Sequence, residues 1–177
     1  MTVPFVTPNQ LDLYRDRAWS AFDLAADEDR EGLVWEQGTF RSRCGTGCCY
    51  AGLLAIAENR RWLIDLDGAG RMLIDGTSLR LEEHAHLRWA HFPHEYMIAE
   101  PGDPEAFVEQ VRGKRVIHVQ YAAAALLGLD LDPASVSELT DDGGLFAGGN
   151  DLEDLERLIT NRFGPRPAVG ATDNEGA

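Results

Sequence analysis

The chain lacks both a long apolar run and a recognisable leader. No segment approaches the roughly eighteen apolar residues of a transmembrane helix, so we expect none to span a membrane. The first ten residues, MTVPFVTPNQ, have neither the charged region nor the long apolar region of a signal peptide. We therefore do not expect secretion.

Cysteine is scarce and confined to one place. All three cysteines lie within residues 44–49, whereas a secreted disulfide framework spreads its cysteines along the chain. This distribution predicts a cytoplasmic protein with reduced thiols.

Basic residues are also few. Sixteen Lys and Arg stand against thirty Asp and Glu, which gives a formal net charge of −14. A nonspecific nucleic-acid binder needs a basic surface, so direct nucleic-acid binding is not expected. Docking on an anionic membrane is disfavoured for the same reason. The charge is compatible with simple solubility, with a basic protein partner, or with mimicry of nucleic acid.

Common motifs for calcium and phosphate are missing as well. Asp65 and Asp67 match early positions of a calcium loop, but Gly76 occupies the twelfth position, where a glutamate is required. The glycine pairs at 143–144 and 148–149 are typical of turns, because no P-loop pattern surrounds them. Nothing in these patterns demands an enzyme.

What the chain does contain is an apolar stretch in its first third. Residues 48–57 are only Cys, Tyr, Ala, Gly, Leu and Ile, which predicts a helix buried on most faces, with Thr46 as its N-cap. A second apolar stretch, residues 116–127, predicts another central helix that ends at Gly128. We expect the two helices to touch. The side chains expected in the core are Cys49, Leu53, Ile56, Ala123 and Leu126.

The remaining predicted elements are mostly helical. Apolar stripes and N-capping residues predict four further helices. One starts at Asn9, two span residues 104–111 and 132–139, and the last starts at Asn150 or Asp151. Residues 82–91 are expected to form one or two helical turns.

A single β-hairpin interrupts this helical pattern. Two short apolar runs, residues 62–66 and 71–75, flank the turn at 67–70. The predicted fold is thus a mainly α single domain over residues 1–163, built around two buried apolar helices with one β-hairpin. Residues 164–177 are expected to be a disordered tail.

Several separated motifs resemble a family of small uncharacterised proteins common in actinobacteria and their phages. Its signature, C-G-T-x-x-C-x-A-G, is matched by Cys44-Gly45-Thr46-Gly47-Cys48-Cys49-Tyr50-Ala51-Gly52. The family's W-x-Q segment corresponds to Trp35-Glu36-Gln37, and its later motifs correspond to residues 124–129, Leu145-Phe146 and 151–163. The resemblance implies an actinobacterial or phage origin and brings no activity or cofactor with it.

The thiols have two interpretations. Free cysteine is commonly buried, so Cys48 and Cys49 are expected in the core, with Cys44 at the helix entrance. The alternative is a thiolate nucleophile whose pKa is lowered by the helix N-terminus.

Histidines offer a metal site as an alternative. Four of the five lie at residues 84–94, and Cys44, Cys49, His91 and His94 could complete a tetrahedral zinc site. The spacing of the cysteines is not that of a common zinc knuckle, and Glu82, Glu83 and Glu95 lie among these histidines as in solvated surface. We therefore expect a solvated surface here and no stoichiometric zinc.

An acidic segment carries the leading functional hypothesis. Residues 130–156 hold nine acidic side chains and no basic one, which is typical either of a solvated face or of a surface for a basic partner. The hypothesis is a non-enzymatic acidic binding protein that acts on a cellular protein, with Asp141, Asp142, Asp151 and Asp154 as contacts. The alternative is a zinc-binding or thiol-dependent protein.

Overall fold

The computed structural model describes residues 7–27, 34–43, 47–67 and 69–168. These residues form six α-helices and eight β-strands, and the strands are arranged in three small sheets. The fold is therefore mixed α/β, and the prediction of a mainly α fold with a single hairpin is wrong. No helix in the described ranges is both long enough and apolar enough to cross a bilayer.

Helix α1 (Pro8–Ala26) begins within a residue of its predicted start. The Thr7 hydroxyl accepts from the backbone N–H of Gln10, and the Gln10 side chain accepts from the N–H of Thr7, which completes a capping box. The C-terminal half of α1 buries a stripe that includes Trp19 and Phe22. This stripe packs against α2 (Tyr50–Ala57) and α6 (Leu152–Phe163).

Helix α2 is the predicted central helix, but it starts later than expected. Cys49 is its N-cap, while the predicted cap Thr46 lies outside the described residues. Before it, β2 (Gly47–Cys48) pairs in parallel with β1 (Val34–Trp35). A Cβ atom at Gly52 would lie 2.5 Å from the Phe40 carbonyl oxygen, so only glycine lets this connection approach the helix so closely.

The predicted hairpin is confirmed and continues into a third strand. Antiparallel β3 (Asp65–Leu66) and β4 (Met72–Ile74) pair as expected, and β4 then pairs with β5 (Thr77–Ser78). Asp75 and Gly76 join the latter two strands with φ values of 51° and 74°. These values are those of a type I′ turn, which matches the twist of the strands.

The prediction of a mainly α fold was wrong chiefly because it missed a second antiparallel sheet. Its order is β6 (Tyr96–Ile98), β8 (Lys114–His118), β7 (Val108–Val111). Residues 104–111, predicted as a helix, form one 3-10 turn and then β7, and the apolar run at 116–127 divides into the end of β8 and α4 (Val119–Leu126). A short apolar run can form either a strand or a helix, and here residues 116–118 form a strand because β8 pairs with β6 and β7.

The two central helices contact each other as predicted. Helix α4 packs on α2, and Cys49, Leu53 and Ala123 are buried, whereas Ile56 and Leu126 are only half-buried. The remaining helices are the short α3 (Leu81–His84), α5 (Pro133–Glu138) and α6, whose N-cap is Asp151.

The predicted disordered tail lies partly within the described residues. The Gly164 carbonyl accepts from the Trp19 indole N–H at 3.3 Å, and Arg166 forms an ion pair with Asp23. Residues 164–168 thus lie against α1, and residues 169–177 lie outside the described ranges.

Candidate functional site

A cleft of about 420 Å³ opens where five parts of the chain meet. These are the loop after β1, the start of α2, the segment before β6, the junction of β8 with α4, and the loop between α5 and α6. We call it the aromatic cleft. Its lining residues are Gln37, Gly38, Thr39, Phe40, Cys49, Trp89, Phe92, Glu95, His118, Gln120, Thr140, Phe146 and Gly148.

Gln37 holds one wall of the aromatic cleft in place. Its side-chain oxygen accepts from the backbone N–H of Tyr50 at 2.9 Å and from the Trp35 indole N–H at 3.0 Å. Its amide nitrogen donates to the Ala147 carbonyl at 2.9 Å. Three segments distant in sequence are thereby joined through one buried amide, whose donors and acceptor are largely used within the protein.

Cys49 lies at the N-terminus of α2 and lines the aromatic cleft. Only 1% of the residue is exposed, and burial raises the pKa of its thiol to about 12, although the N–H groups of Gly52 and Ala51 act in the opposite direction. The thiol is therefore protonated at neutral pH. A pKa in this range does not favour the thiolate nucleophile considered for this cysteine.

His118 and Glu95 form a buried polar pair beside the thiol. Tyr96 pairs with His118 across β6 and β8, which brings the preceding Glu95 beside the imidazole. His118 Nε2 lies 3.3 Å from Glu95 Oε2, and the backbone N–H of Gln120 donates to His118 Nδ1 at 3.3 Å. Because Nδ1 accepts, the ring proton belongs on Nε2, from which it is donated to the carboxylate.

Burial keeps the His118 imidazole uncharged. It lowers the pKa of His118, and the neighbouring Glu95 and Glu109 oppose this shift without reversing it. Both ring nitrogens are thus occupied by Glu95 and Gln120. The imidazole holds the carboxylate rather than serving as a base for Cys49.

Aromatic side chains surround this pair. The rings of Phe40, Tyr96 and Trp89 lie 5.2, 5.4 and 5.6 Å from the His118 ring, centroid to centroid. Trp89 and Phe92 remain 36% and 42% exposed. Among the described residues that line the cleft, only Glu95 has a formally charged side chain, so the cleft presents a carboxylate between aromatic rings.

The predicted zinc ligands are scattered. Cys44 lies outside the described residues, Cys49 lies in the aromatic cleft, and His91 is exposed beside Phe92. His94 is buried, Nδ1 has no hydrogen-bond partner among the described residues, and burial lowers its pKa. Within the described ranges, no three potential ligands form a group that could hold a metal. The zinc site stays the alternative hypothesis, and the expected absence of stoichiometric zinc stays a prediction.

The solvated surface expected around these histidines is wrong in part. His86 and His91 are exposed, but His84, His94 and Glu95 are buried. The burial of Glu95 matters most, because it turns an apparent surface carboxylate into the charged group of a cleft.

The four predicted partner contacts lie around α6 and the loop before it. The Asp151 side chain caps α6 by accepting from the N–H of Asp154 at 2.9 Å. Asp154 pairs with Arg157 at 2.7 Å, which lowers its pKa. Asp141 and Asp142 are exposed, and Asp142 lines a separate depression. Two of the four carboxylates thus already have structural partners, and their role in binding stays a prediction.

Two residues of the aromatic cleft were missed by sequence reasoning. His118 is the fifth histidine, inside an apolar run that was predicted to be wholly helical. A polar residue within Val116-Ile117-His118-Val119, where three of four residues are β-branched, was the available signal for a strand with a special side chain. Glu95 carried no comparable signal.

Comparison with family models, with curated proteins and with solved structures finds no match to this chain. The resemblance to the actinobacterial and phage family therefore stays a prediction from the motifs.

Proposed function

We propose that this protein is a non-enzymatic binding protein that receives a lysine or arginine side chain of a partner protein in the aromatic cleft. Glu95 pairs with the cationic group of this side chain, and the surrounding aromatic rings cover the aliphatic stem of the lysine or arginine. The proposal keeps the acidic binding protein expected from the sequence and places its principal contact at Glu95.

The observation that carries the proposal is the incomplete pairing of Glu95. The residue is only 6% exposed, and its carboxylate is held by His118 on one oxygen. Among the described residues, no Lys or Arg forms an ion pair with it. A buried carboxylate is costly unless a cation compensates it. A basic side chain from outside supplies that missing charge.

The walls of the aromatic cleft suit the same ligand. Cations are attracted to the faces of aromatic rings, most strongly to tryptophan and where water is excluded. Phe40, Trp89, Phe92 and Phe146 all line the cleft. Trp89 and Phe92 are also exposed enough to contact the partner's surface around the inserted side chain, as aromatic anchors do in protein interfaces.

The charge of the whole chain supports a basic partner. A net charge of −14 attracts a positively charged protein over distances of about one Debye length, roughly 8 Å at physiological ionic strength. Residues 130–156 contain nine of the thirty acidic side chains and no basic one. We infer that they steer association, while Glu95 and the aromatic rings provide the specific contact.

A thiol-dependent activity is the weaker candidate. Cys49 lies in the same cleft, but its pKa of about 12 and the occupied nitrogens of His118 leave it without an activating base. No observation favours zinc chemistry over the binding role.

The proposal is tested with defined probes in an NMR titration of the 15N-labelled protein. The probes are the N-acetyl methylamides of lysine and arginine, and the neutral controls are those of norleucine and citrulline. We expect the cationic probes to shift the Trp89 indole signal in a saturable manner. Glu95→Gln keeps the shape and the contact with His118 while removing the charge, and should weaken binding about tenfold, or about 1.4 kcal/mol.

Glu156→Gln is the matched control, because it removes an exposed carboxylate on α6 away from the cleft. It should leave probe binding unchanged. Equal binding of norleucine and lysine probes, or undiminished binding by Glu95→Gln, would show that the cleft does not select cations.

A further inference from the structure

A second cleft, of about 390 Å³, has the opposite character from the aromatic cleft. It lies beside residues 60–65, the end of β4 and the start of β8. We call it the arginine cleft. Its charged lining residues are Arg41, Arg60, Arg61, Lys114, Asp65 and Asp75. Four cations meeting in one place are unexpected in a chain of net charge −14.

Arg41 is the centre of this cluster. It is only 8% exposed, and its guanidinium carbon lies 4.7 Å from the centre of the Trp62 ring. One terminal nitrogen, Nη1, donates to the carbonyls of Ile64 at 2.8 Å and His94 at 3.3 Å. Nε is buried and has no hydrogen-bond partner in the described ranges.

No carboxylate of the described residues neutralises Arg41 directly. Among the described residues it forms no ion pair, and the nearby Asp65 is exposed and acts only through space. Desolvation lowers the pKa of Arg41, which is the expected effect of burying a cation without a counterion. An arginine stays charged in a protein, so the site retains an uncompensated positive charge.

The neighbouring cations differ in how they are paired. Arg60 is neutralised by a bidentate contact with Asp103 at 2.9 and 2.5 Å. Lys114 pairs with the exposed Asp75 at 3.0 Å. Arg61 is exposed and has no ion pair within the described ranges. Within the part of the chain that the structure describes, the guanidinium groups of Arg41 and Arg61, which both line the cleft, therefore lack an anionic partner.

We propose that the arginine cleft binds a phosphate group, either as inorganic phosphate or as a small phosphate monoester. Arg41 and Arg61 supply two unpaired guanidinium groups, whose planar donors match the oxygens of phosphate. Phosphate carries about 1.5 to 2 negative charges at neutral pH and so matches two cations better than a single carboxylate does. Lys114 lies close enough to line the same space and releases Asp75 when the anion enters.

The negative charge of the whole protein does not exclude this ligand. Charges beyond about 8 Å are largely screened at physiological ionic strength, whereas buried or nearby charges are not. The unpaired Arg41 and Arg61 therefore act on a ligand in the cleft more strongly than the acidic segment at residues 130–156, none of which lines the cleft.

The test is an NMR titration of the full chain with inorganic phosphate, methyl phosphate and acetate, at ionic strength held constant with sodium chloride. We expect saturable shifts of the Trp62 and Lys114 backbone signals with one or both phosphate species. Comparison of the two distinguishes free phosphate from a phosphate ester. Acetate should bind at least about tenfold more weakly, since it has one charge and two oxygens.

Three variants test whether the charged side chains of the cleft determine phosphate binding. Arg61→Gln should weaken phosphate binding about tenfold by removing a charge-assisted contact. Asp75→Asn should strengthen it at least about twofold, because it removes a negative charge from the lining. Arg71→Gln, an exposed arginine that pairs with Asp67 across the hairpin turn, is the control and should have no effect.

Both informative substitutions are at exposed positions, so neither depends on removing the buried Arg41. The absence of saturable binding by either phosphate species, or equal affinity for acetate and phosphate, overturns the assignment. The assignment is also overturned if the affinity for phosphate is unchanged in both Arg61→Gln and Asp75→Asn.

Discussion

At the scale of single residues, the two clefts depend on buried charged groups that are incompletely paired. Glu95 and Arg41 are at least nine-tenths buried, yet neither has an ion pair with a residue of opposite fixed charge in the described ranges. Buried charges of this kind usually have partners within the protein. Their presence in open clefts is the physical reason for proposing ligands of opposite charge.

His118 predicts a pH dependence of stability. Its pKa is lowered by burial, so the unfolded chain takes up a proton near pH 6.5 that the native protein resists. Its contribution is fully present above pH 6.5 and is lost as pH falls below that value. His94, whose pKa burial also lowers, acts in the same direction. We expect up to about 1.4 kcal/mol of lost unfolding free energy per proton and pH unit.

Urea unfolding at pH 7.5, 6.5 and 5.5 checks this prediction. His118→Gln should be less dependent on pH than the wild type over this range, whatever its stability at pH 7.5. His91→Gln, at an exposed position, is the control. Asp67, Glu83 and Asp154 have lowered pKa values and lose their contributions only at more acidic pH. An identical pH dependence in wild type and His118→Gln contradicts the assignment.

At the scale of elements, local sequence decides the ends of helices better than it decides the class of apolar runs. Helix α6 is the clearest case. Asp151 accepts from the N–H of Asp154, and Leu155 and Ile159 on the following turns are buried. The cap and the stripe are both local patterns, so the helix forms where they predict it.

The cap gives a prediction for α6. Asp151→Ala removes the acceptor for an N–H in the first turn and should lower the free energy of unfolding by about 1 kcal/mol. Asp151→Asn keeps an acceptor and should cost only a few tenths of this amount. Urea unfolding at pH 7.5 measures both. If the two substitutions are equally costly, the charge of Asp151 rather than its capping bond stabilises the helix.

The strands, unlike the helix ends, are not decided by local sequence. Residues 116–127 form an almost wholly apolar run, and His118 among β-branched residues is the one local signal that its first part is a strand. The division after His118 arises because Val116 and Ile117 pair with both β6 and β7. Strand pairing is a contact between distant segments, so it could not be read from the run itself.

At the scale of the whole molecule, the acidic charge predicts the salt dependence of partner binding. Changing Asp141, Asp142, Asp151 and Asp154 to Asn removes four negative charges, and Asn at position 151 keeps an acceptable cap. We expect slower association with an immobilised lysine-rich peptide and a weaker effect of salt on the variant than on the wild type.

The measurement is the association rate at low and high salt. The equilibrium affinity for the peptide should change less in the quadruple variant than in Glu95→Gln, because the aspartates steer the partner whereas Glu95 contacts it. Equal association of wild type and quadruple variant at both salt concentrations removes the acidic segment from the binding function.

By itself, the sequence determined the features that depend on neighbours along the chain. These include α1 and α6 with their caps, the hairpin around residues 67–70, the burial of Cys49 and Leu53, and the excess of negative charge. Each follows from periodicity, turn chemistry or composition, which require no knowledge of distant contacts.

Only the tertiary structure decided the sheet β6-β8-β7 and the two clefts. Glu95 and His118 are 23 residues apart and meet because β6, which directly follows Glu95, pairs with β8. Arg41 reaches the carbonyls of Ile64 and His94 from a separate loop. The sequence places Glu95 among polar neighbours and Arg41 beside Ser42 and Arg43, where both resemble surface residues. Their burial comes from segments that pack over them, so the charge that each leaves uncompensated exists only in the folded chain.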